Sequence, residues 1–163
     1  MYGITETTVH VTYKEIKTDD IKSDISNIGV PIPTLSCYVL DQYLQPVPIG
    51  VPGELFVGGA GLSLGYLNRE KLTERRFVNN PFEPETKLYR SGDKVMLLEN
   101  GEMQYLGRFD DQVKVRGFRI ELAEIEFALK NLDNIDAAIA LCVPNSFGEN
   151  EILAYFISKV THS

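Results

Sequence analysis

The chain has 163 residues, enough for one domain or two small ones, and its 44% hydrophobic and 24% charged residues are typical of a globular protein. Its net charge of -7 argues against the basic surface that non-specific binding to nucleic acids or anionic membranes requires. The longest strongly apolar run, residues 137–143, is too short for a membrane helix, and the first residues show no signal-peptide pattern.

Cysteine and histidine are rare in the sequence. Cys37 and Cys142 form no C-x-x-C pair and stand in apolar, strand-like runs. We therefore expect two buried free thiols in a reducing, cytoplasmic compartment. The only histidines are His10 and His162, which excludes a His-rich metal site.

Strand patterns dominate the first two-thirds of the chain. They occur in SCYVLD at 36–41, GELFVGG at 53–59 and LYRSGDKVMLL at 88–98. The dipeptide Asn100-Gly101 follows, and it is a strong hairpin signal. Strands at short spacing with Gly and Pro turns predict a small β-rich unit of distorted barrel-like or sandwich-like form.

The pattern changes near Asp110-Asp111. In QVKVRGFRI the alternation of apolar and polar residues changes phase at Gly117, which indicates a hairpin turn or a bulge. The next segment has helical spacing, carried by Leu122, Ile125, Leu129 and Leu132. AAIALCVP and EILAYFISK then predict two strands. We therefore predict an α+β fold: a β-rich subdomain at 1–109 and a β-hairpin, helix and strand subdomain at 110–163.

Two glycine-rich patterns suggest other chemistry. G-L-S-L-G at 61–65 matches the nucleophile elbow of serine hydrolases, and Asp93 and His162 follow Ser63 in hydrolase order. However, His162 is the penultimate residue, and the chain has no room for the large parallel sheet of that fold, so a glycine-bounded turn is preferred. GGAGLSLG is not a dinucleotide fingerprint, because Leu64 stands where the third glycine belongs.

The opening stretch YGITETT has the composition of a nucleotide site. Gly3 would let the backbone approach a ligand closely, and Tyr2 offers a face on which a base can stack. The Thr5 hydroxyl suits a phosphate oxygen, and the Glu6 carboxylate suits Mg²⁺. Asp93 in YRSGD could accept both hydroxyls of a ribose. Taken singly, each residue is more commonly a solvated, turn or core residue than part of a site.

Four segments together resemble a known family. They are YGITETT, GELFVGGAGLSLGYL, LYRSGD and GRFDDQVKVRGFRIELAEIE, which span most of residues 2–126. In this order and spacing they resemble the adenylation domains of non-ribosomal peptide synthetases, members of the adenylate-forming superfamily. The resemblance implies ATP- and Mg²⁺-dependent activation of an amino acid to an aminoacyl-AMP. The aminoacyl group would then pass to the phosphopantetheine thiol of a peptidyl carrier protein.

The resemblance also implies roles for residues of the first subdomain. Tyr2 would stack on adenine with Gly3 beside it, Thr5 would contact the α-phosphate, and Glu6 would bind Mg²⁺. Asp93 would hold the ribose hydroxyls. The residues that would flank the ribose are Tyr105 and Arg108.

Further implied roles concern the substrate and the second subdomain. Val9 and His10 would line the amino-acid pocket, and together with Met1 just before Tyr2 they form a combination similar to that of threonine-activating domains. Asp110 would be the hinge of a mobile C-terminal subdomain, and Gly117 would lie where the pantetheine arm enters. Lys114 would face the site in the second catalytic state.

Some family motifs are absent from the sequence. These are the Gly/Ser/Thr-rich phosphate loop, the aspartate that pairs with the substrate amino group and the C-terminal lysine motif. We therefore expect residues 1–109 to be the C-terminal part of an adenylation core and 110–163 the start of its mobile subdomain. The isolated chain is expected to be inactive without the rest of the domain. An acyl- or aryl-CoA ligase and a non-catalytic carrier-binding module are the alternatives.

Overall fold

The structure is a computed structural model, and it describes residues 1–18, 20–110, 112–116 and 118–158. The chain divides into two compact units, Met1–Phe109 and a second unit that begins at Asp110. Within these residues strands predominate and two short α-helices occur, so the predicted α+β class is confirmed.

A seven-stranded antiparallel sheet forms the first unit. Six of its strands follow the spatial order β1-β2-β7-β6-β4-β3, and β5 pairs with β6. The strands are β1 Thr12–Tyr13, β2 Asn27–Pro31, β3 Leu35–Leu40, β4 Pro52–Gly59, β5 Phe77–Asn79, β6 Lys87–Leu97 and β7 Met103–Arg108. Helix α1 spans Glu70–Arg76, and short 3₁₀ turns occupy Thr5–Thr7 and Asp20–Lys22.

Strand β4 is buried on both faces. Alternate residues Leu55 and Val57 join the main core, whereas Phe56 packs with Leu40 and Leu88 in a second cluster on the opposite face. This arrangement follows from the two-residue period of a strand, and it explains why Leu55, Phe56 and Val57 are consecutive apolar residues rather than alternating with polar ones.

The hairpin between β6 and β7 turns at the predicted Asn100-Gly101. The Leu98 amide donates to the Glu102 carbonyl at 2.8 Å, and the Gly101 amide donates to the Leu98 carbonyl at 2.9 Å. Gly101 has φ 80°, in the left-handed region. The connection is therefore a three-residue loop closed by a glycine bulge, rather than a two-residue turn.

The second unit contains the predicted hairpin, helix and strand pair. Its elements are β8 Gln112–Val115, β9 Phe118–Glu121, α2 Leu122–Lys130, β10 Ile135–Pro144 and β11 Asn150–Ser158. Strands β8 and β9 pair through Val115 and Phe118, which shows that the phase change marks a hairpin turn. Helix α2 packs against β10 and ends before Leu132.

In the described part of the chain, no helix has the length and apolar character needed to cross a membrane.

Candidate active site

The centre of the candidate site is an ion pair between neighbouring strands. Asp93 on β6 lies directly opposite Arg108 on β7. Arg108 donates from Nη1 to Asp93 Oδ1 at 2.6 Å and from Nη2 to the Ser91 carbonyl at 3.0 Å. Asp93 is only 5% exposed. Such a charge-assisted, nearly buried pair fixes the carboxylate in one orientation.

An irregularity in β6 holds Asp93 in this position. The β4–β6 register shifts between Glu54 and Phe56, and Gly92 has φ 78°. The Glu54 carboxylate accepts hydrogen bonds from Arg90 Nε and from the Gly92 amide at 3.1 Å. Together these bonds fasten the bulge that precedes Asp93, which is a common way to aim a side chain from a strand.

The Asp93 backbone is fixed as well. Ser91 Oγ donates to the Leu55 carbonyl at 2.6 Å and accepts from the Asp93 amide at 3.0 Å. The Ser91 hydroxyl is buried, so both of its bonds are formed away from water. Family resemblance alone gave no site role to Ser91, Glu54 or Arg90, because their roles depend on pairing between strands.

Tyr2 completes the cluster. Its hydroxyl donates to Asp93 Oδ2, and its ring centroid lies 6.0 Å from that of Tyr105 at an interplanar angle of 40°. Burial, together with the charge of Asp93, raises the pKa of Tyr2 above its usual value, so the hydroxyl remains a donor. The structure thus brings together four residues predicted to bind the nucleotide: Tyr2, Asp93, Tyr105 and Arg108.

The residues after Tyr2 form a loop closed at its base. The Tyr2 amide donates to the Thr12 carbonyl at 3.2 Å, and the Val11 amide donates to the Tyr2 carbonyl at 2.9 Å. A Cβ atom at Gly3 would collide with the Val9 carbonyl. The close approach that requires this glycine is therefore made by the loop itself. The proposed contact of Gly3 with a ligand has no such observation behind it.

The predicted substrate residues, Val9 and His10, belong to this same loop. Val9 is 60% exposed and His10 is also exposed. Thr8 and Val9 have φ values of 61° and 72°. The left-handed region is strained for a β-branched residue, and such strain persists only where the surroundings enforce it. Here the Thr8 hydroxyl donates to the Gly61 carbonyl at 2.7 Å.

Glu6 lies on the same loop but has different neighbours. It is 9% exposed, whereas Thr5 beside it is exposed. The Tyr66 hydroxyl donates to Glu6 Oε1 at 2.6 Å, and the Tyr89 hydroxyl lies 3.3 Å from that of Tyr66. Burial and the bond to Glu6 raise the pKa of Tyr66, so it stays a neutral donor. Sequence reasoning missed Tyr66, although it follows Gly65 in the segment GELFVGGAGLSLGYL.

The donor set around Glu6 fits a nucleotide-bound Mg²⁺. Among the residues that the structure describes, no three His, Cys, Asp or Glu side chains form a metal cluster. An all-protein cage is therefore not formed by these residues. Mg²⁺ commonly binds one or two carboxylates and takes its other ligands from water and substrate phosphates. A carboxylate such as Glu6 next to the exposed Thr5 hydroxyl suits that mode.

Other predicted residues lie elsewhere or outside the described part. Asp110 begins the second unit, and its Oδ1 accepts from the Gln112 amide at 3.4 Å. Lys114 is a β8 residue whose side chain lies outside the described part, as do Gly117 and His162.

The serine-hydrolase alternative gains no support from the structure. Ser63 lies in an exposed loop, and helix α1 begins only at Glu70, whereas a nucleophile elbow leads directly from its serine into a helix. A cavity of about 540 Å³ does adjoin this loop and is lined by residues of α1. Among the described residues that line it there is neither Asp93 nor a histidine.

The expectation for the thiols is partly met. Cys37 and Cys142 are free, but both are half-buried rather than fully buried. Burial raises the pKa of the Cys37 thiol to about 12, so this side chain stays protonated and unreactive at neutral pH.

Known proteins are similar to this chain in sequence and in fold. Residues 1–67 match the family model of the AMP-binding enzymes. The chain is 52% identical over 159 residues to a plipastatin synthase of Bacillus subtilis (strain 168), and 49% identical over 158 residues to a linear gramicidin synthase of Brevibacillus parabrevis. These alignments cover 98% and 96% of this chain but only 6% and 2% of the relatives.

A solved structure agrees with the sequence comparison. PA1221, described as an NRPS protein containing adenylation and PCP domains, superposes with a TM-score of 0.84 at 30% identity. The match covers 97% of this chain and 32% of that one. Residues 1–67 therefore belong to the AMP-binding enzyme family, and over nearly its whole length the chain is similar to non-ribosomal peptide synthetases and to a structure that contains an adenylation domain.

Proposed function

We propose that this chain is part of a domain that activates an amino acid with ATP and passes it to a carrier protein. The product of activation is an aminoacyl-AMP, and the acceptor is the phosphopantetheine thiol of a peptidyl carrier protein. The observation that carries the proposal is the cluster in which Asp93 accepts from Tyr2 and Arg108, with Tyr105 beside it. The similarity to a plipastatin synthase, and to PA1221 with its PCP domain, supports the proposal.

The cluster suits a nucleoside. Asp93 is an acceptor of fixed orientation, which matches the two donor hydroxyls of a ribose, and Arg108 balances its charge. Tyr2 and Tyr105 supply aromatic surface beside it, on which an adenine ring can stack. Because the carboxylate is held by bulge and ion pair before any ligand arrives, binding loses little entropy in ordering it.

The loop before β1 would bind the phosphates and their metal ion. We assign Glu6 as the Mg²⁺ ligand and the exposed Thr5 hydroxyl as the contact to the α-phosphate. Bound Mg²⁺ would offset the negative charge of the phosphates during transfer. Glu6 contributes a carboxylate whose orientation is set by a hydrogen bond, so that the metal meets a prepared ligand.

The test is amino-acid-dependent exchange of pyrophosphate into ATP by the complete adenylation domain that contains this chain. We expect exchange with at least one amino acid, and we expect Asp93→Asn to raise the KM for ATP about tenfold, since a charged hydrogen bond contributes roughly 1.5–3 kcal/mol. A Tyr43→Phe variant, changed at an exposed hydroxyl, is the control. No exchange with any amino acid would refute the proposal.

For the substrate we propose threonine. Val9 and His10 lie side by side in the exposed, strained part of the loop, and an imidazole can hydrogen-bond a side-chain hydroxyl. A site built to bond a hydroxyl rejects an isostere that lacks it. Threonine should therefore support faster exchange than valine in the complete domain. Equal rates with the two amino acids would eliminate threonine as the preferred substrate.

For the second unit we propose the start of the family's mobile C-terminal subdomain. Asp110 would be the hinge, Lys114 would face the site during thiolation, and Gly117 would admit the pantetheine arm. We also propose that the isolated 163-residue chain does not adenylate, because the family's phosphate loop and C-terminal lysine are missing from it. Pyrophosphate exchange measured on the isolated chain should be at background, and robust exchange would contradict this.

Two alternatives remain distinguishable by experiment. An acyl- or aryl-CoA ligase of the same superfamily would activate a carboxylic acid without an amino group and would transfer it to coenzyme A. A non-catalytic module would bind a carrier protein without consuming ATP. A panel of amino, fatty and aryl acids, each tested with a carrier protein and with coenzyme A as acceptor, separates the three.

A further inference from the structure

We infer that Tyr66 is a positioning residue for the carboxylate of Glu6, and that it acts by holding Glu6 in the orientation needed for Mg²⁺. The inference rests on the proposed function, which makes Glu6 the metal ligand. Tyr66 and Glu6 are 60 positions apart in the sequence, and their side chains meet at 2.6 Å between the phenol oxygen and Oε1.

Glu6 needs such a partner because it is nearly buried. Its side chain comes from a 3₁₀ turn, Thr5–Thr7, whose backbone is closed by the bond from the Thr7 amide to the Ile4 carbonyl at 3.1 Å. A turn of this length fixes the backbone, whereas the orientation of the carboxylate depends on the groups that contact it. The bond from Tyr66 sets the position of one of the two oxygens.

Tyr66 is itself fixed at both ends. Its amide donates to the Thr73 hydroxyl on α1 at 2.9 Å, and its ring meets the ring of Phe77 edge-on at a centroid distance of 5.8 Å. Its hydroxyl lies beside that of the fully buried Tyr89. Because Tyr66 is fixed against α1 and the sheet, its hydroxyl holds the Glu6 carboxylate in a defined position relative to both elements.

The backbone near Tyr66 reinforces this arrangement. Gly65 has φ 145°, and a Cβ atom there would lie 2.5 Å from a methyl carbon of Thr73. The Ser63 amide also donates to the Glu6 carbonyl at 2.9 Å. The segment from Ser63 to Tyr66 is therefore bound to the Glu6 loop through both backbone and side chain.

A phenol is well suited to this role. It donates a hydrogen bond without carrying a positive charge, so it orients the carboxylate and leaves its negative charge available to a cation. A lysine or arginine in the same place would compete with the metal for that charge. Partners that orient a metal ligand typically affect metal affinity by about 10- to 100-fold when they are removed.

The experiment measures ATP binding to the complete adenylation domain by calorimetry, once with excess Mg²⁺ and once with a chelator. The ratio of the two dissociation constants gives the gain in affinity from the metal. Tyr66→Phe should reduce this gain about tenfold and leave the metal-free affinity unchanged. Tyr43→Phe, which removes an exposed hydroxyl, should change neither quantity.

A double-mutant cycle shows whether Tyr66 acts through Glu6. Glu6→Gln should reduce the gain from Mg²⁺, and adding Tyr66→Phe to it should cause no further loss. The inference is overturned if Tyr66→Phe leaves the gain intact, if it causes the same loss in the Glu6→Gln background, or if it weakens metal-free binding equally.

A second variant, Thr73→Val, keeps the inference testable if Tyr66→Phe does not fold. Thr73→Val removes the acceptor of the Tyr66 amide and keeps both members of the Tyr66–Glu6 pair. It should reduce the gain from Mg²⁺ in the same direction but less, and an unchanged gain would overturn the inference. Pyrophosphate exchange by the unmodified domain tests the proposed function separately, so the two can fail independently.

Discussion

Gly3 shows how a single glycine can serve the fold in a place where a ligand contact was expected. An added Cβ would overlap the carbonyl of Val9, which is backbone and cannot rotate away. Gly3→Ala should therefore lower the free energy of unfolding by about 3 kcal/mol, at the upper end of typical overpacking costs. Urea denaturation followed by circular dichroism measures the change.

Gly50→Ala is the matched control for Gly3. Gly50 has φ 80° but nothing within 4 Å of an added Cβ, so the substitution meets only the backbone preference. That preference costs about 1–2 kcal/mol per residue. A Gly3→Ala variant no less stable than Gly50→Ala would show that the loop moves aside easily and is not rigid.

Glu102 carries the clearest pH dependence of the first unit. Its carboxylate accepts from Lys14 Nζ at 2.7 Å and from Asn27 Nδ2 at 2.7 Å, and these bonds lower its pKa to about 2 from an ordinary 4.5. Because the folded pKa is the lower one, the stabilisation is complete above pH 4.5 and is lost as the pH falls toward 2.

The test compares the wild-type chain with Glu102→Gln. We expect the variant to be less stable at neutral pH, and the difference between the two proteins to shrink steadily as the pH falls from 4.5 to 2. Thermal melting at a series of pH values measures it. A stability difference that does not change with pH would mean that the network acts through hydrogen bonding alone and not through the charge of Glu102.

At the scale of elements, a hydrogen bond links strand β10 to helix α2 in the second unit. Ala140 on β10 is 4% exposed, and its amide donates to Glu126 Oε1 on α2 at 3.0 Å. Glu126→Ala leaves this amide without its acceptor, which should cost about 1–3 kcal/mol, the usual penalty for a buried unsatisfied donor. Faster hydrogen exchange at Ala140 would report the loss at the amide itself.

Two neighbouring variants separate this bond from the charge of Glu126. Glu126→Gln keeps the Oε1 acceptor and should cost much less. Lys130→Ala removes the partner of an exposed helix pair, in which Nζ lies 3.8 Å from Glu126 Oε2, and should cost under about 0.5 kcal/mol. If Lys130→Ala destabilises the chain as strongly as Glu126→Ala, the strand amide is not the important partner.

The elements differ in how far sequence predicts them. Helix α2 and strands β3, β4 and β6 each show their hydrophobic pattern within one continuous segment. The local sequence was therefore enough to predict them. Strand β1 has only two residues and exists because Thr12 and Tyr13 pair with β2 residues near Pro31. No local signal marks a strand of that length, and the strand was not predicted.

The contacts within the candidate site likewise cannot be predicted from local sequence pattern. Resemblance to a family pointed to Tyr2 and Asp93, yet their bond joins residues 91 positions apart, and no periodicity in the sequence predicts it. Tyr66 escaped notice because a tyrosine after a glycine has no meaning until the fold places Glu6 beside it. Long-range pairing of strands and loops, rather than local propensity, decides these contacts.

At the scale of the whole molecule, one face of the β10–β11 pair is exposed among the residues that the structure describes. Helix α2 lies against β10 and buries Ala138 and Ala140. The cross-strand partners on the opposite face are apolar and are between 37% and 64% exposed: Ile139 with Tyr155, Leu141 with Leu153, and Ile157 beside them. A continuous apolar stripe of this kind favours association.

We therefore predict that the 163-residue chain self-associates as its concentration rises, and that Tyr155→Glu shifts it toward the monomer. A charge in the middle of the stripe must be desolvated when the stripe is covered, and an unpaired buried carboxylate is costly. Tyr43→Glu introduces the same change at an exposed residue of the first unit and should leave association unaltered. Sedimentation velocity over a concentration series measures the effect. A wild-type chain that stays monomeric throughout would show that the stripe does not drive self-association. A Tyr43→Glu variant that dissociates as readily as Tyr155→Glu would show that the association surface lies elsewhere.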